Sequence, residues 1–265
     1  MLAALKSKGE TKIVARKSRN HTEILFKHLK MPIKIITKKK IDVIKIKGQS
    51  EFKSFNYNIP SDISSASFFI VLTLLANKSN IILKNININE SRKGIIKILN
   101  MMNSKILIKN KKNHRGEAIG DIIVKSQKNL KGIKCPKKFN SEAIDEFLII
   151  FLVAAKAKGI SYFNDIEELN QKESPRLKIA SKILKQMGVK NVITKKSIKI
   201  YGNPNLTVSK KILIKNFKKD HRVFMMSVIA ALIFGGNWTI HNPDSIRTSF
   251  PSFLKKIKFL GGKFR

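Results

Sequence analysis

Residues 220–234 read Asp-His-Arg-Val-Phe-Met-Met-Ser-Val-Ile-Ala-Ala-Leu-Ile-Phe, a charged start followed by an almost wholly apolar run. The length of the run and the aspartate at its start predict a helix with an N-cap. A short strand is predicted next, at Trp238–His241, followed by a second, amphipathic helix at Ser249–Gly261. The stretch therefore predicts a unit of polar start, apolar helix, short strand and second helix.

The same unit occurs twice more along the chain, with β-rich stretches between the copies. One copy comprises Asp62–Ala76, Asn80–Leu83 and Ser91–Asn103, and the other comprises Glu142–Ala157, Ile160–Asn164 and Ser174–Gly188. The intervening stretches are Ser104–Val124 and Val189–Ile214. Repeats of roughly 70–85 residues are too long for a solenoid. We therefore expect a pseudo-symmetric α/β (α+β) domain built from three copies of helices and short strands.

A fourth, shortened unit precedes these three. Leu2–Lys6 resembles the tail of a helix, Glu10–Ala15 a strand and Asn20–Leu29 a second helix, and Ile41–Lys47 alternates as a strand does. The polar segment Glu51–Pro60, which ends in proline, is the predicted boundary.

We accordingly predict two domains. Residues 1–51 would be the last repeat of an incomplete first domain, and residues 52–265 a complete three-repeat domain. A chain that opens inside a helix also suggests that Met1 is an internal methionine of a longer protein.

The 265-residue chain carries a net charge of +37, which raises the question of a nucleic-acid partner. Its lysines are dispersed, with only short runs such as Lys38-Lys39-Lys40, and isoleucine and asparagine are enriched beside them. The aromatic residues lie mostly in apolar stretches instead of alternating with basic residues. Compositional drift therefore explains the charge better, and we expect no specific nucleic-acid partner.

Other classes of protein are disfavoured by simple features of the chain. The single cysteine, Cys135, excludes an internal disulfide and a cysteine-based zinc site. The apolar runs Phe147–Ala155 and Val223–Phe234 are too short to span a bilayer, and the N-terminus lacks the pattern of a signal peptide. We expect a cytoplasmic protein without membrane association.

Three charged clusters stand where apolar or amphipathic helices begin. Asp145 precedes Phe147–Ala155, where an acidic residue could simply complement the helix dipole. Lys172–Arg176 (Lys-Glu-Ser-Pro-Arg) could be a capped surface helix, with Ser174 as N-cap. Arg222 is harder to explain structurally, because a cation in a first helical turn opposes the dipole unless an anion is bound there. Its neighbour His221 is interpreted as a packing residue.

Further motifs accompany the clusters in a fixed order. They are Ser18–Glu23 (Ser-Arg-Asn-His-Thr-Glu), Ser61–Phe69 (Ser-Asp-Ile-Ser-Ser-Ala-Ser-Phe-Phe), Asp220–Met225 (Asp-His-Arg-Val-Phe-Met) and Thr248–Phe253 (Thr-Ser-Phe-Pro-Ser-Phe). With Asp145, its following Ala155–Gly159, and Lys172–Arg176, they resemble the 5-enolpyruvylshikimate-3-phosphate synthases over essentially the whole chain. The resemblance implies an enolpyruvyl transferase-like fold of two domains that close on substrate, and a monomer when full length.

The chain departs from the family pattern at several positions. Pro175 stands where the family has aspartate, Asn170 where it usually has arginine, and Phe224 where a small residue is usual. The phosphate-binding motifs of the family's first half are not found in this sequence. The related UDP-N-acetylglucosamine enolpyruvyl transferases fit less well, because they carry Asp-Leu-Arg in place of Asp-His-Arg and lack the Lys-Glu-x-x-Arg cluster.

The resemblance implies transfer of the enolpyruvyl group from phosphoenolpyruvate to the 5-hydroxyl of shikimate 3-phosphate, with release of phosphate and without a metal or organic cofactor. Asp145 would be the general base, and Glu173 the acid, with Lys172 as the other possibility. The expected substrate-binding residues are Ser18, Arg19, Glu168, Arg176 and Arg222.

Because the chain has the motifs of the family's second half and lacks those of the first half, we expect it to be truncated and poorly active alone. Three alternatives remain: a non-catalytic remnant of the fold, an enzyme like the UDP-N-acetylglucosamine enolpyruvyl transferases, and a basic nucleic-acid-binding protein.

Overall fold

The computed structural model describes residues 1–38, 41–51 and 53–264. Lys39 and Lys40 of the lysine run, Phe52 at the predicted boundary and Arg265 lie outside the described residues. Within the described ranges the chain is a mixed α/β protein of four repeated units, as the sequence predicts.

The first unit is a small antiparallel sheet packed against one helix. Its elements are β1 (Glu10–Arg16), α1 (His21–His28), β2 (Ile33–Lys38) and β3 (Ile41–Lys47). The strands lie in the order β1-β3-β2. The two predicted strands and the predicted helix are confirmed within a residue or two, whereas β2 was not predicted. The expected helix tail at Leu2–Lys6 is instead a single 3-10 turn, Ala3–Leu5.

The other three units each contain one apolar helix and a second, shorter helix. The first comprises α2 (Ile63–Leu75), β4 (Asn80–Asn87), α3 (Gly94–Met101), β5 (Leu107–His114) and β6 (Glu117–Lys125). The next comprises α4 (Asn140–Ala143), α5 (Phe147–Lys156), β7 (Gly159–Asn164), α6 (Arg176–Gln186), β8 (Asn191–Ile193) and β9 (Ser197–Gly202). The last comprises β10 (Lys211–Ile214), α7 (His221–Phe234), β11 (Asn237–Ile240) and α8 (Phe253–Phe259).

Strand order repeats between units, which supports the predicted pseudo-symmetry. The sheets β4-β6-β5 and β7-β9-β8 have the same order as β1-β3-β2. In each of the later units, the segment before the apolar helix also runs parallel to the strand after it. The pairs are Ser61 with Ile86, Lys134 with Tyr162, and β10 with β11.

One predicted helix is wrong in its bounds. The expected helix Glu142–Ala157 is divided into α4 and α5 by a turn at residues 144–146. The main-chain oxygen of Asp145 accepts a hydrogen bond of 3.0 Å from Nη1 of Arg222, so that carbonyl serves a contact between repeats. The second helices also begin later than predicted, at Gly94, Arg176 and Phe253.

The three apolar helices α2, α5 and α7 pack against one another at the centre of the large hydrophobic core. Phe147–Ala155 of α5 are at most 1% exposed, so this helix has no face toward water. A separate small cluster lies in the first unit and includes Phe26, Ile44 and Ile46. The two clusters support the division into residues 1–51 and 52–265, which stays a prediction. Among the described residues, no helix has the length and apolar character needed to cross a membrane.

The N-termini of α2, α5 and α7 meet at one end of this helix bundle. Asp62 caps α2 by accepting a hydrogen bond from the amide of Ser65, and Asp220 caps α7 by accepting one from the amide of Arg222. The predicted N-cap role of Asp220 is thus confirmed. The convergence gathers the charged residues that precede each apolar helix.

Candidate active site

The carboxylate of Asp145 lies between the start of α5, the start of α7 and the loop from β1 to α1. Its side chain is 12% exposed and receives a hydrogen bond from Arg19. Nη1 of Arg176 lies 3.6 Å from its Oδ1, and Nη2 of Arg222 lies 3.8 Å from its Oδ2. Nζ of Lys172 lies 3.8 Å from Oδ1. The structure thus brings five of the predicted site residues together.

These neighbours determine the protonation of Asp145. Burial alone would raise the pKa of its carboxyl, but the charge of Arg222 and the hydrogen bond and charge of Arg19 outweigh it. With Lys172 contributing, the pKa falls from 3.8 to about 2. The carboxylate is therefore ionised at neutral pH.

Arg176 is held by a buried ion pair with Asp220. Nε of Arg176 lies 2.8 Å from Oδ2 of Asp220, and Nη2 lies 3.2 Å from Oδ1. The side chains are 1% and 0% exposed, and Oδ2 also accepts a hydrogen bond from Ser174. The prediction that Ser174 caps α6 is wrong, because its hydroxyl is directed to Asp220 and Pro175 occupies the cap position. Burial opposes ionisation of Asp220, but Arg176 lowers its pKa.

Glu173, Lys172 and Glu168 lie on the open side of the site. Glu173 is 53% exposed, contacts Arg176, and has Oε1 3.9 Å from Nδ1 of His221. Nζ of Lys172 donates to Glu168, which is 57% exposed, over 2.8 Å. Burial, together with the nearby charge of Arg222, lowers the pKa of His221, which favours its neutral form. The two exposed carboxylates are accessible to a ligand.

The loop before α1 contributes unequally to the site. Arg19 reaches Asp145 across the boundary between the two hydrophobic clusters. Ser18 precedes it and is exposed, and among the described residues its hydroxyl has no hydrogen-bond partner. The structure does not bring Ser18 into the cluster.

Sequence reasoning missed a buried network beside Asp145. Glu146 is 1% exposed and accepts a hydrogen bond from the hydroxyl of Ser64. Nη2 of Arg92 lies 2.5 Å from Oγ of Ser64 and 3.1 Å from Oδ1 of Asp62. A signal for Arg92 was available, because it lies near the start of the second helix of its repeat, as Arg176 does in the next.

A second missed contact joins α1 to β6. Nδ1 of His21 lies 2.5 Å from Oε1 of Glu117, which is 5% exposed. Asn89 donates to the other oxygen of Glu117 and, over 2.9 Å, to the side-chain oxygen of Asn20. These residues are far apart in sequence, and no local pattern links them.

The arrangement suits small anions that carry carboxylate or phosphate groups. Arg19, Arg222 and Lys172 are each partly exposed, and Arg222 lies at a helix N-terminus with its free amides. Among residues 1–38, 41–51 and 53–264, no group of three His, Cys, Asp or Glu side chains is placed to hold a metal ion.

Comparison with known proteins identifies the relatives of this chain. The family model for EPSP synthase (3-phosphoshikimate 1-carboxyvinyltransferase) matches residues 1–257. A 3-phosphoshikimate 1-carboxyvinyltransferase from Ruthia magnifica is 37% identical over 262 residues, covering 98% of this chain and 58% of that protein. The enzyme of the same name from Caldicellulosiruptor bescii is 36% identical over 254 residues, covering 96% and 58%.

Solved structures of enolpyruvyl transferases have the same fold as this chain. The EPSP synthase from Acinetobacter baumannii superposes with a TM-score of 0.87 and 32% identity, covering 97% of this chain and 58% of that one. The enolpyruvyl transferase NikO from Streptomyces tendae, at 14% identity and a TM-score of 0.72, shares the fold. The chain spans about 58% of the length of the curated relatives it matches. This chain belongs to the EPSP synthase family.

Proposed function

We propose that this chain supplies part of the active site for transfer of the enolpyruvyl group from phosphoenolpyruvate to the 5-hydroxyl of shikimate 3-phosphate, with release of phosphate. The observation that carries the proposal is the ionised carboxylate of Asp145, surrounded by cations from two repeats and from the loop before α1. Transfer between two anionic substrates needs both a proton acceptor and cations that hold the substrates in register.

Asp145 is the proposed general base for the 5-hydroxyl. With a pKa of about 2 it is always ionised near neutral pH but is a weak proton acceptor. Arg222 and Arg19 hold the pKa low, and both are candidates to bind substrate anions. When a bound substrate anion pairs with Arg222 and Arg19, these cations stabilise the carboxylate of Asp145 less. Its pKa then rises, and the carboxylate becomes a stronger base. Substrate binding would therefore activate the base.

Glu173 is the proposed acid that protonates C3 of phosphoenolpyruvate, and Lys172 is the second candidate. Glu173 is accessible to a ligand, and its contacts with Arg176 and His221 limit its movement. Lys172 lies between Glu168 and Asp145, so it could equally position a substrate hydroxyl. Replacing each residue separately distinguishes the two assignments.

Arg176 and Arg222 are proposed to bind phosphoenolpyruvate. Asp220 occupies Nε and Nη2 of Arg176, so its Nη1 is the atom placed toward the site, 3.6 Å from Asp145. Arg222 is 14% exposed at the start of α7 and offers a planar guanidinium. Ser18 and Arg19 would contact the phosphate of shikimate 3-phosphate, and Glu168 its hydroxyls.

We further propose that the reaction uses no cofactor, that the full-length protein is a cytoplasmic monomer, and that it has no specific nucleic-acid partner. The dispersed lysines support the last point. Because the chain spans about 58% of the length of its curated relatives, we propose that the reaction needs further groups from the unmatched part and that the 265-residue chain alone turns over poorly.

The test is phosphate release from phosphoenolpyruvate and shikimate 3-phosphate. The assay compares the chain alone, the chain with the unmatched part of the Ruthia magnifica relative, and the same pair carrying Glu173→Gln. We expect activity only in the unmodified pair. Robust turnover by the chain alone would contradict its dependence on further groups. An inactive pair that nevertheless forms a folded complex would favour a non-catalytic remnant.

A further inference from the structure

Asp145 and Glu146 are adjacent carboxyl groups in opposite surroundings. Asp145 is contacted by four cationic side chains, whereas Glu146 forms no ion pair among the described residues. Glu146 is 1% exposed, its Oε1 accepts from Ser64, and its Oε2 has no hydrogen-bond partner within the described chain. Two neighbouring acids with such different environments are suited to different roles.

The hydrogen bonds around Ser64 link Arg92 to Glu146 through a neutral hydroxyl. A guanidinium can only donate, so Nη2 of Arg92 donates to Oγ of Ser64 over 2.5 Å. The single hydroxyl proton of Ser64 is then directed to Oε1 of Glu146. Glu146 therefore accepts a single hydrogen bond, from an uncharged hydroxyl. The carbonyl oxygen of a protonated carboxyl can accept the same bond, so this contact does not require Glu146 to be ionised.

The free-energy cost of ionising a buried carboxyl determines whether Glu146 is protonated. A buried carboxylate loses several kcal/mol of solvation, and a directly paired cation is needed to offset that loss. Arg222 and Arg92 lie close enough to favour the charged form, and the charge of Asp145 opposes it. Burial outweighs the cations, so the pKa of Glu146 is raised. Geometry and electrostatics both favour the neutral acid.

We propose that Glu146 is a positioning residue that acts as a neutral acid: it ties the start of α5 to Ser64 and Arg92, and leaves Asp145 as the sole anion of the pair. The inference rests on the proposed function, since Asp145 is the base that it would position. An ionised Glu146 would draw Arg222 away from Asp145 and repel the neighbouring carboxylate. A neutral one fixes the turn without competing for cations.

The main experiment uses the 265-residue chain and is independent of turnover. The titrations of Asp145 and Glu146 are followed by the ¹³C shifts of their carboxyl groups, assigned with Asp145→Asn and Glu146→Gln. We expect Glu146 to remain protonated at pH 7. Glu146→Ala, which frees the turn, should move the midpoint of Asp145 from about 2 toward 3.8, whereas Glu146→Gln, which keeps the acceptor oxygen, should not.

Glu142→Gln is the matched control. Glu142 belongs to the adjacent helix α4, is 22% exposed and pairs with Lys97, so its removal should leave the Asp145 midpoint unchanged. An ionised Glu146 at pH 7 would overturn the inference, as would equal Asp145 midpoints in the Glu146→Ala and Glu146→Gln variants. If Glu146→Ala does not fold, the protonation state of Glu146 in the unmodified chain still decides the question.

A second measurement tests the link to catalysis in the active pair described above. Glu146→Ala should lower kcat by about tenfold to a hundredfold with a smaller change in KM, because the base is misplaced more than the substrates. Glu146→Gln should recover most of that loss. Loss of activity in both variants to the same extent would refute positioning by a neutral acid. A pair without any activity would count against the proposed function, while the titration result would stand.

Discussion

Replacing Asp145 by asparagine gives the most direct test of the electrostatics at the site. The substitution keeps the size of the side chain and one acceptor oxygen but removes the charge that Arg19, Arg176 and Arg222 contact. We expect the loss of charge to destabilise the folded chain at neutral pH, because the cations are left to repel one another.

The magnitude follows from the shifted pKa. A fall from 3.8 to about 2 corresponds to about 2 kcal/mol of stability at pH 7. Because the folded-state pKa is lowered, this contribution is fully present above pH 3.8 and is lost as the pH falls toward 2. Near pH 3, about half of it should remain. The deficit of Asp145→Asn should therefore shrink from about 2 kcal/mol at pH 7 to about 1 kcal/mol at pH 3.

Urea unfolding followed by the fluorescence of Trp238, the one tryptophan in the sequence, measures this difference. Asp165→Asn is the control, because Asp165 is an exposed aspartate with φ 57°, a conformation that asparagine tolerates. Its deficit should be small beside that of Asp145→Asn at pH 7 and should not follow the same pH dependence. If the deficit of Asp145→Asn is the same at pH 3 and pH 7, or absent at both, the cations do not stabilise this carboxylate and the reasoning fails.

Four further predictions concern separate features. Asp220→Asn keeps an N-cap on α7 but removes the buried charge that pairs with Arg176, whose side chain is 1% exposed. Urea unfolding should therefore show a loss of about 3–5 kcal/mol, against under about 1 kcal/mol for the exposed cap variant Asp62→Asn; similar losses would mean that the buried pair contributes no more than an exposed one. Arg222→Lys removes a planar two-nitrogen donor, so calorimetry should show at least about tenfold weaker phosphoenolpyruvate binding, and unchanged affinity would contradict the proposed contact. Burial raises the pKa of Cys135 to about 11, so its reaction with an aromatic disulfide reagent at pH 8 should be much slower in the folded chain than in urea; equal rates would show an accessible thiol. Binding to DNA should be independent of sequence and fall steeply with salt, and a marked sequence preference in fluorescence anisotropy would contradict the compositional explanation of the charge.

Local sequence predicted the features that depend on local physics. The apolar stretch after Asp220 predicts α7 and its N-cap because capping and helix formation involve residues a few positions apart. The role of Asp145 as general base was predicted from the family resemblance and stays a prediction, because its place before the apolar run of α5 is equally explained by the helix dipole. In contrast, the turn that separates α4 from α5 was not predicted, because Arg222 of another repeat stabilises it.

The partners of the site residues were beyond local reasoning. Arg19 and Asp145 are 126 positions apart, Ser64 and Glu146 are 82 apart, and Arg176 and Asp220 are 44 apart. Composition and spacing carry no signal for such pairs, since each forms only when separate repeats pack together. The pairing of Arg176 with Asp220, and the neutral environment of Glu146, could be seen only in three dimensions.

The ion pairs around Asp145 have a consequence for how a ligand would enter. The four cations Arg19, Lys172, Arg176 and Arg222 contact four carboxylates, those of Asp145, Glu168, Glu173 and Asp220. In a chain of net charge +37, this site is locally close to neutral. A ligand anion would therefore bind by ion exchange, taking the place of an internal carboxylate at a guanidinium. A simple inorganic anion replaces one internal ion pair with another and gains little. A molecule with two anionic groups replaces two internal contacts in one binding event, so the site should favour such a ligand.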